Sequence, residues 1–303
     1  MKKIIIAGGT GFLGQVLMQY FKTKCDRIII LSRRKLAQQE NVQYHQWDGE
    51  QLGDWSKYLE NADVLINLTG KSVDCRYNTK NKKRILDSRV NATEILGHAV
   101  RVCDHPPKVW INSSTATIYR HSMDKEMNEE TGEIGNGFSV SVAREWEASF
   151  FDQVTPKTRK IALRTAIVLG NKGGALRPIV NLAKFGFGGK QGSGEQYFSW
   201  IHEDDFVSAV HFLIENNKLE GVFNIVAPKP TTNANLMKRI RNTLNIPFGM
   251  PLPKSLLEIG AILINTETEL VLKSRRVVPK RLLDEGFIFK HQDLTKSLAH
   301  LLL

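Results

Sequence analysis

The sequence predicts an α/β protein with a doubly wound parallel sheet and a smaller C-terminal domain. Residues 3–21 read as a short apolar strand, a glycine-rich turn and an amphipathic helix. Strand-like and helical segments then alternate to about residue 165, which is the pattern of parallel strands joined by helical crossovers. After that point the alternation becomes irregular and prolines interrupt the chain. A smaller second unit is therefore expected there.

The glycine-rich turn predicts a phosphate-binding loop, which makes the sheet Rossmann-type. Gly8 suits a tight turn, Gly11 lets the backbone approach a pyrophosphate, and Gly14 lets the helix pack closely on the strand. The helix N-terminus would present free N–H groups to the phosphates. An ordinary glycine-rich turn is the alternative. The residues predicted to bind the cofactor here are Gly8, Thr10, Gly11, Phe12, Leu13 and Gly14.

The second strand, residues 26–31, predicts which dinucleotide binds. It ends in Ser32, Arg33 and Arg34 with no carboxylate. At this strand end an acidic residue would bind a ribose 2′-hydroxyl, whereas arginines would bind a 2′-phosphate. The sequence therefore favours NADP over NAD as cofactor. A solvated loop without a cofactor role is the alternative.

Two further strand ends supply candidate cofactor contacts. The strand at residues 42–46 is followed by Asp48, which either accepts a hydrogen bond from the adenine amino group or caps a helix or closes a turn. The strand that begins at residue 63 ends in Leu68, Thr69 and Gly70. Because ligands bind beyond the carboxyl ends of such strands, this loop is predicted to pass along the cofactor.

The next long helix, residues 81–103, leads to a strand at residues 108–112 and then to Ser113, Thr115 and Tyr119. Ser113 is predicted to contact the cofactor because it lies at the carboxyl end of a central strand. Tyr119 is a candidate acid/base residue, since a phenol close to the nicotinamide is chemically adequate. An aromatic side chain packed beneath the substrate is the alternative for Tyr119.

The predicted domain boundaries follow the loss of alternation. Residues 1–165 form the dinucleotide-binding domain, which also receives residues 203–229. Residues 166–202 and 230–303 form the smaller substrate-binding domain. Within it, residues 186–194 are rich in glycine and are expected to form a mobile loop, and residues 269–272 look strand-like.

Composition limits the classes of partner. The formal charge is +11, but the basic runs at 80–84 and 273–276 lack interleaved aromatic residues, so solvated faces are favoured and no nucleic-acid partner is expected. No segment has the length of a membrane span, and the apolar start is too short for a signal peptide. The three cysteines lack metal-ligand spacing, so no metal site is predicted and a reducing cytoplasm is the expected compartment.

The chain resembles the extended short-chain dehydrogenase/reductases of the sugar-nucleotide epimerase group. Beside the glycine turn, this resemblance rests on Asn67–Gly70, Ser113–Tyr119 and Trp200–Asp205. It is closest to an atypical epimerase-like branch, because of Arg84–Val90, Gly188–Gln196 and Gly286–Phe289. The resemblance implies that Thr115 occupies the position of the catalytic serine or threonine. Capping of the backbone at a strand end is the alternative role for Thr115.

The chain departs from the family at the catalytic pair. The resemblance implies a Tyr and a Lys on the next helix, but alignment through Glu147 places Ser139 and Ala143 there. Neither residue can transfer a proton or supply a charge. Three possibilities remain: Tyr119 supplies a hydroxyl, Arg144 supplies the positive charge, or the site binds a cofactor without turning it over.

The sequence therefore predicts an NADP-binding oxidoreductase or epimerase that acts on a small polar, nucleotide-sugar-like substrate. Its nicotinamide would exchange a hydride while a substrate hydroxyl loses or gains a proton. A homo-oligomer is compatible with the sequence. The competing hypothesis is a catalytically weak NADP-binding sensor or interaction protein.

Overall fold

A computed structural model gives the fold and describes residues 1–263 and 267–303. The strands in these ranges are β1 (Lys3–Ala7), β2 (Arg27–Ser32), β3 (Val42–Gln46), β4 (Val64–Asn67), β5 (Val109–Thr115), β6 (Arg159–Thr165), β7 (Ile167–Leu169), β8 (Tyr197–Phe198), β9 (Trp200–His202), β10 (Gly221–Ile225) and β11 (Thr231–Thr232). The main sheet has the order β10-β6-β5-β4-β1-β2-β3, and all its pairs are parallel. The predicted Rossmann-type fold is confirmed.

Helices cover both faces of this sheet. Those described are α1 (Phe12–Phe21), α2 (Thr79–Arg101), α3 (Phe138–Phe151), α4 (Leu176–Leu182), α5 (Glu203–Glu215), α6 (Asn233–Thr243), α7 (Lys254–Leu263), α8 (Glu269–Leu272), α9 (Lys280–Asp284) and α10 (Leu294–Leu302). Short 3₁₀ helices occupy Asp54–Leu59 and Ala116–Ile118. None of the helices in the described part of the chain is both long and apolar enough to cross a membrane.

Strand β1 shows why the sheet is covered on both faces. Its residues alternate between two apolar clusters, so Ile4 packs with Leu17 of α1 while Ile5 packs with Leu96 of α2. All of these side chains are fully buried. A strand that is apolar at every position therefore belongs in the middle of a parallel sheet between two helical layers.

The order of connection places a crevice at one edge of the sheet. Strand β1 pairs with β2 on one side and with β4 on the other, so the order in which successive strands are added to the sheet reverses at β1. The loops that leave the carboxyl ends of β1 and β4 separate at this point. In parallel α/β sheets a ligand crevice forms there.

The region after β6 differs from two expectations. Glu269–Leu272 is the short helix α8 rather than a strand. The glycine-rich segment 186–194 is joined by backbone hydrogen bonds to residues 250–252, including Gly189 N–H to the Met250 carbonyl at 3.0 Å. The Gln191 N–H also donates to the buried side chain of Asn233 at 2.8 Å. The segment is therefore anchored along its length by hydrogen bonds.

Candidate active site

A cavity of about 510 Å³ opens at the carboxyl ends of β1, β4 and β5. It brings together ten of the residues that the sequence predicts for the cofactor and for catalysis. These residues are Gly8, Gly11, Phe12, Leu13, Gly14, Leu68, Thr69, Gly70, Ser113 and Thr115. A second cavity, of about 490 Å³, lies at the amino ends of the strands beside Met1 and Asp63 and contains none of them.

A side chain would be tolerated differently at each of the three glycines of the turn, Gly8, Gly11 and Gly14. Gly8 has φ +74°, and a Cβ there would lie 3.0 Å from the Leu68 backbone. A Cβ on Gly14 would lie 2.4 Å from Gly9, which excludes any side chain. Gly11 has an ordinary φ of −77°, and a Cβ would meet only the Gly8 carbonyl oxygen at 3.7 Å. The protein itself therefore leaves open space at Gly11, on the cavity side.

Helix α1 begins at this open space without a side-chain cap. Gly11 is its N-cap residue, and among residues 1–263 and 267–303 no side chain caps the first turn. Uncapped N–H groups at a helix N-terminus favour a bound anion. Phe12 and Leu13 line the cavity in this first turn, whereas Thr10 is exposed and lies outside the lining.

The residues after β2 and β3 also lie outside the cavity lining. Arg33 and Arg34 are exposed, and among the described residues neither guanidinium has a hydrogen-bond or ion-pair partner. The buried Ser32 hydroxyl accepts the Arg34 N–H at 3.1 Å and so shapes this loop. Asp48 Oδ1 accepts the N–H groups of residues 50 and 51 at 2.9 and 3.0 Å, which lowers its pKa. Asp48 therefore closes a turn, which is one of the roles that the sequence allowed for it.

The loop after β4 is held by a buried amide. Asn67 Oδ1 accepts the Thr69 N–H at 3.0 Å, and its Nδ2 donates to Asn112 Oδ1 on β5 at 2.7 Å. These bonds fix the backbone of Leu68 to Gly70 along the cavity. The buried Thr69 hydroxyl has no hydrogen-bond partner in the described chain. An unpaired polar atom in a cavity wall suits contact with a polar ligand.

Thr115 lines the cavity and also caps a helix. Its Oγ1 accepts the Thr117 N–H at 3.1 Å, at the start of the 3₁₀ helix, and donates to Thr117 Oγ1 at 3.0 Å. The neighbouring Ser114 hydroxyl donates to Glu147 Oε1 at 2.6 Å. The end of β5 therefore presents hydroxyl groups in a fixed arrangement.

Tyr119, the candidate acid/base residue, is not among the residues that line the cavity. Its side chain is fully buried, and its hydroxyl donates to Asn224 Oδ1 at 3.0 Å and accepts a hydrogen bond from Arg164 at 3.0 Å. The 3₁₀ helix separates Tyr119 from the end of β5, and the Tyr119 ring packs in an apolar cluster with Met127 and Val277. Burial raises the pKa of its phenol, against the opposing effect of Arg164. This geometry favours the packing role for Tyr119. Arg144 is exposed on α3 and is not among the lining residues.

The comparisons with known proteins agree with this architecture. Residues 4–143 match the family model of the NAD dependent epimerase/dehydratase family, and residues 252–301 match a domain of unknown function, DUF1731. The chain is 32% identical to the epimerase family protein YfhF of Bacillus subtilis, over 99% of this chain and 97% of that protein. The chain belongs to the NAD-dependent epimerase/dehydratase family.

Solved structures of other epimerase-family proteins are also similar. The human epimerase family protein SDR39U1, crystallised with NADPH, superposes with a TM-score of 0.86 at 27% identity, covering 99% of this chain and 98% of that one. UDP-N-acetylglucosamine 4-epimerase of Bacillus cereus has a TM-score of 0.76 at 18% identity, with 99% and 95% coverage. The second comparison shows the shared fold.

This member of the epimerase family places three charged or titratable side chains in the cavity that sequence reasoning missed. They are Lys71, Tyr77 and Arg89. Arg89 could have been found from the helical period, since it lies between Ile85 and Ala92 on the buried face of α2. Lys71 and Tyr77 lie in the irregular loop that precedes α2, where no periodic signal exists.

A cluster of imidazoles lies outside the cavity of this epimerase-family chain. Ligand-type atoms of His202, Asp204, His291 and His300 lie within 4.8 Å of one another, so they could hold a metal ion. His202 Nδ1 accepts the Asp204 N–H at 3.0 Å and caps α5, and its ring stacks on His291 at 3.6 Å. Burial and the neighbouring His291 lower the pKa of His202 to about 4. The hydrogen bond from the Asp204 N–H identifies His202 as a structural cap of α5.

Proposed function

We propose that this chain binds NADP(H) in the cavity and catalyses oxidation–reduction or epimerisation of a small polar, nucleotide-sugar-like substrate. The observation that carries this proposal is the open space at Gly11. Neither the backbone conformation nor the packing requires glycine there, whereas a pyrophosphate at the uncapped start of α1 does. The cavity residues therefore fit a dinucleotide.

The preference for NADP rests on the loop after β2. The unpaired guanidinium groups of Arg33 and Arg34 would bind a 2′-phosphate by charge-assisted hydrogen bonds. The presence of NADPH in the SDR39U1 crystal structure supports the same assignment. Leu68 to Gly70 and Ser113 would lie along the rest of the cofactor. Asp48 would use its remaining carboxylate oxygen if it contacts the adenine.

When bound, the nicotinamide would supply hydride acceptance or donation. The chain would orient the substrate with the hydroxyl groups of Thr115 and Ser139, which both line the cavity. Phe138, Val142 and Trp146 would form an apolar wall that excludes water. Residues 166–202 and 230–303 are proposed to complete the substrate-binding side. The free cysteines are in keeping with a cytoplasmic location.

The absence of a Tyr/Lys pair at Ser139 and Ala143 supports a second candidate, an NADP-binding sensor without turnover. Titration calorimetry with NADP⁺, NADPH and NAD⁺ tests the binding that both candidates share. A panel of nucleotide sugars and simpler hydroxy or carbonyl compounds, followed by nicotinamide absorbance, then separates them. Lack of binding to every nucleotide would reject both candidates. Tight binding with only background turnover across the panel would favour the sensor.

A further inference from the structure

Hydride exchange at a carbonyl or hydroxyl carbon needs a group that moves a proton at the attached oxygen. Among the described residues that line the cavity, the titratable side chains are Lys71, Tyr77 and Arg89. Arginine keeps its proton in proteins, so Arg89 cannot be the donor or acceptor. The Lys71 ammonium donates to Cys75 Sγ at 3.6 Å. Tyr77 is therefore the candidate with a suitable hydroxyl.

The position of Tyr77 is fixed from three sides. Its backbone N–H donates to Glu267 Oε1 at 2.7 Å, and its ring packs edge-on against Phe138 with the centroids 4.9 Å apart. Its hydroxyl lies close to Ser139, whose buried Oγ has no hydrogen bond of ordinary geometry. Burial raises the pKa of Tyr77, the Ser139 hydroxyl acts in the opposite direction, and the neighbouring Glu269, Cys75 and Glu267 add to the rise. A phenol thus adjoins position 139 although the sequence places a serine there.

Arg89 supplies a positive charge in the same cavity. Its Nη1 donates to the carbonyl oxygens of Lys71 at 3.0 Å and Ile85 at 2.8 Å, and its guanidinium lies over the Trp146 ring at 5.0 Å. Among the described residues it has no carboxylate partner, and burial lowers its pKa from the usual arginine value. Arg89 and Tyr77 line the same cavity, so the guanidinium favours the phenolate form, whereas the carboxylates of Glu269 and Glu267 oppose it.

We propose that Tyr77 is the proton-exchanging residue of this site and that Arg89 is a positioning residue that stabilises its phenolate. The inference rests on the proposed function. In the oxidative direction the substrate C–H bond breaks with its electron pair passing as hydride to NADP⁺. The substrate O–H bond breaks as its proton passes to the phenolate oxygen of Tyr77, which becomes a neutral phenol, and a C=O bond forms. Tyr77 then returns the proton to solvent, and the reductive direction reverses each transfer.

The test uses proton release on cofactor binding and needs no substrate. The oxidised nicotinamide is cationic and the reduced one is neutral, so only NADP⁺ should favour ionisation of a nearby phenol. An opposite charge within a few ångströms lowers a pKa by about 1 to 3 units. Calorimetry of the full chain near about pH 9, in buffers of different ionisation enthalpy, measures the protons released. Absorbance of tyrosinate in the near ultraviolet identifies the group that loses them.

Wild-type protein should release a fraction of a proton with NADP⁺ and none with NADPH. Tyr77→Phe should abolish the release with nucleotide affinity changed less than about threefold. Tyr58→Phe, a matched change in a half-buried tyrosine outside the cavity, should leave it intact. Arg89→Met should move the release to higher pH.

Three results would overturn the inference while leaving NADP binding in place. These are equal proton release with both nucleotides, release that persists in Tyr77→Phe, and release that disappears only in Lys71→Met. Lack of binding by either nucleotide would instead refute the proposed function, and the inference with it. The comparison of proton release with NADP⁺ and with NADPH uses only the wild-type protein. It therefore tests the inference even if a substituted protein folds poorly.

Discussion

Substitution of Gly11 tests whether this position is glycine for nucleotide binding or for stability of the fold. A valine Cβ at this position would meet only the Gly8 carbonyl oxygen at 3.7 Å, and φ −77° with ψ 173° suits a β-branched residue. Loss of a small N-cap residue should cost the fold no more than about 1 kcal/mol. In the complex, the isopropyl group would occupy the space proposed for the pyrophosphate.

The expected loss of affinity is large. If the valine displaces two charge-assisted hydrogen bonds to phosphate oxygens, binding weakens by roughly 3–6 kcal/mol, or about 10²- to 10⁴-fold. Gly11→Ala adds a single methyl group and should give an intermediate loss. Titration calorimetry with NADPH measures the affinities, and urea unfolding measures the stabilities.

Gly14→Ala is the matched control for the fold. Its Cβ would lie 2.4 Å from Gly9, so the turn must shift and stability should fall by about 1–3 kcal/mol or more. Nucleotide affinity in Gly11→Val equal to that of the wild type would show that the phosphates bind elsewhere. A severe loss of stability in Gly11→Val would show that the space at Gly11 serves the fold.

Three further predictions concern the cofactor, Tyr119 and the imidazole cluster. NADP should bind roughly ten- to a hundredfold more tightly than NAD, and the double substitution Arg33→Ala/Arg34→Ala should make the two affinities equal. Equal affinities for NADP and NAD in calorimetry of the wild-type protein would contradict this prediction. Tyr119→Phe should lower the free energy of unfolding by about 1–3 kcal/mol, because the buried Asn224 and Arg164 side chains each lose a hydrogen bond. The affinity for NADPH should stay the same, and a large loss of affinity in binding assays would show that Tyr119 belongs to the binding site. Because burial and the neighbouring His291 lower the pKa of His202 to about 4, below its unfolded value of about 6.5, the unfolded chain binds more protons between these pH values, and stability should fall as the pH drops through this range. His202→Asn keeps an acceptor for the Asp204 N–H and should flatten that part of a urea-unfolding pH profile; an unchanged slope would assign it to other groups.

The fold could be predicted because its signals are local. The apolar run of β1, the glycine turn and the start of α1 are contiguous, and each follows from backbone conformation or periodicity. Local sequence signals also predicted that Leu68 to Gly70 and Thr115 lie at the ends of strands. In the structure these residues line the cavity.

The remainder of the site depends on contacts distant in sequence. Tyr119 also follows a strand end, but the 3₁₀ helix directs it to Asn224, which is 105 residues away in the chain. Tyr77 enters the cavity from a loop whose backbone is held by Glu267, 190 residues later. Neither orientation has a periodic signature. Glu269–Leu272 was expected to be a strand because four residues are too few to distinguish the two periods.

The two segments recognised by family models share one hydrophobic core. Leu282, Phe287 and Phe289 lie within residues 252–301, yet they belong to the same apolar cluster as Ile6 and Phe21 of residues 4–143, and none is more than 8% exposed. A gene fragment that ends before residue 252 would leave these apolar neighbours facing water. The boundary drawn by sequence similarity is thus a poor point for recombination between homologues. Chimaeras that exchange the C-terminal segment should carry its core partners from the same parent.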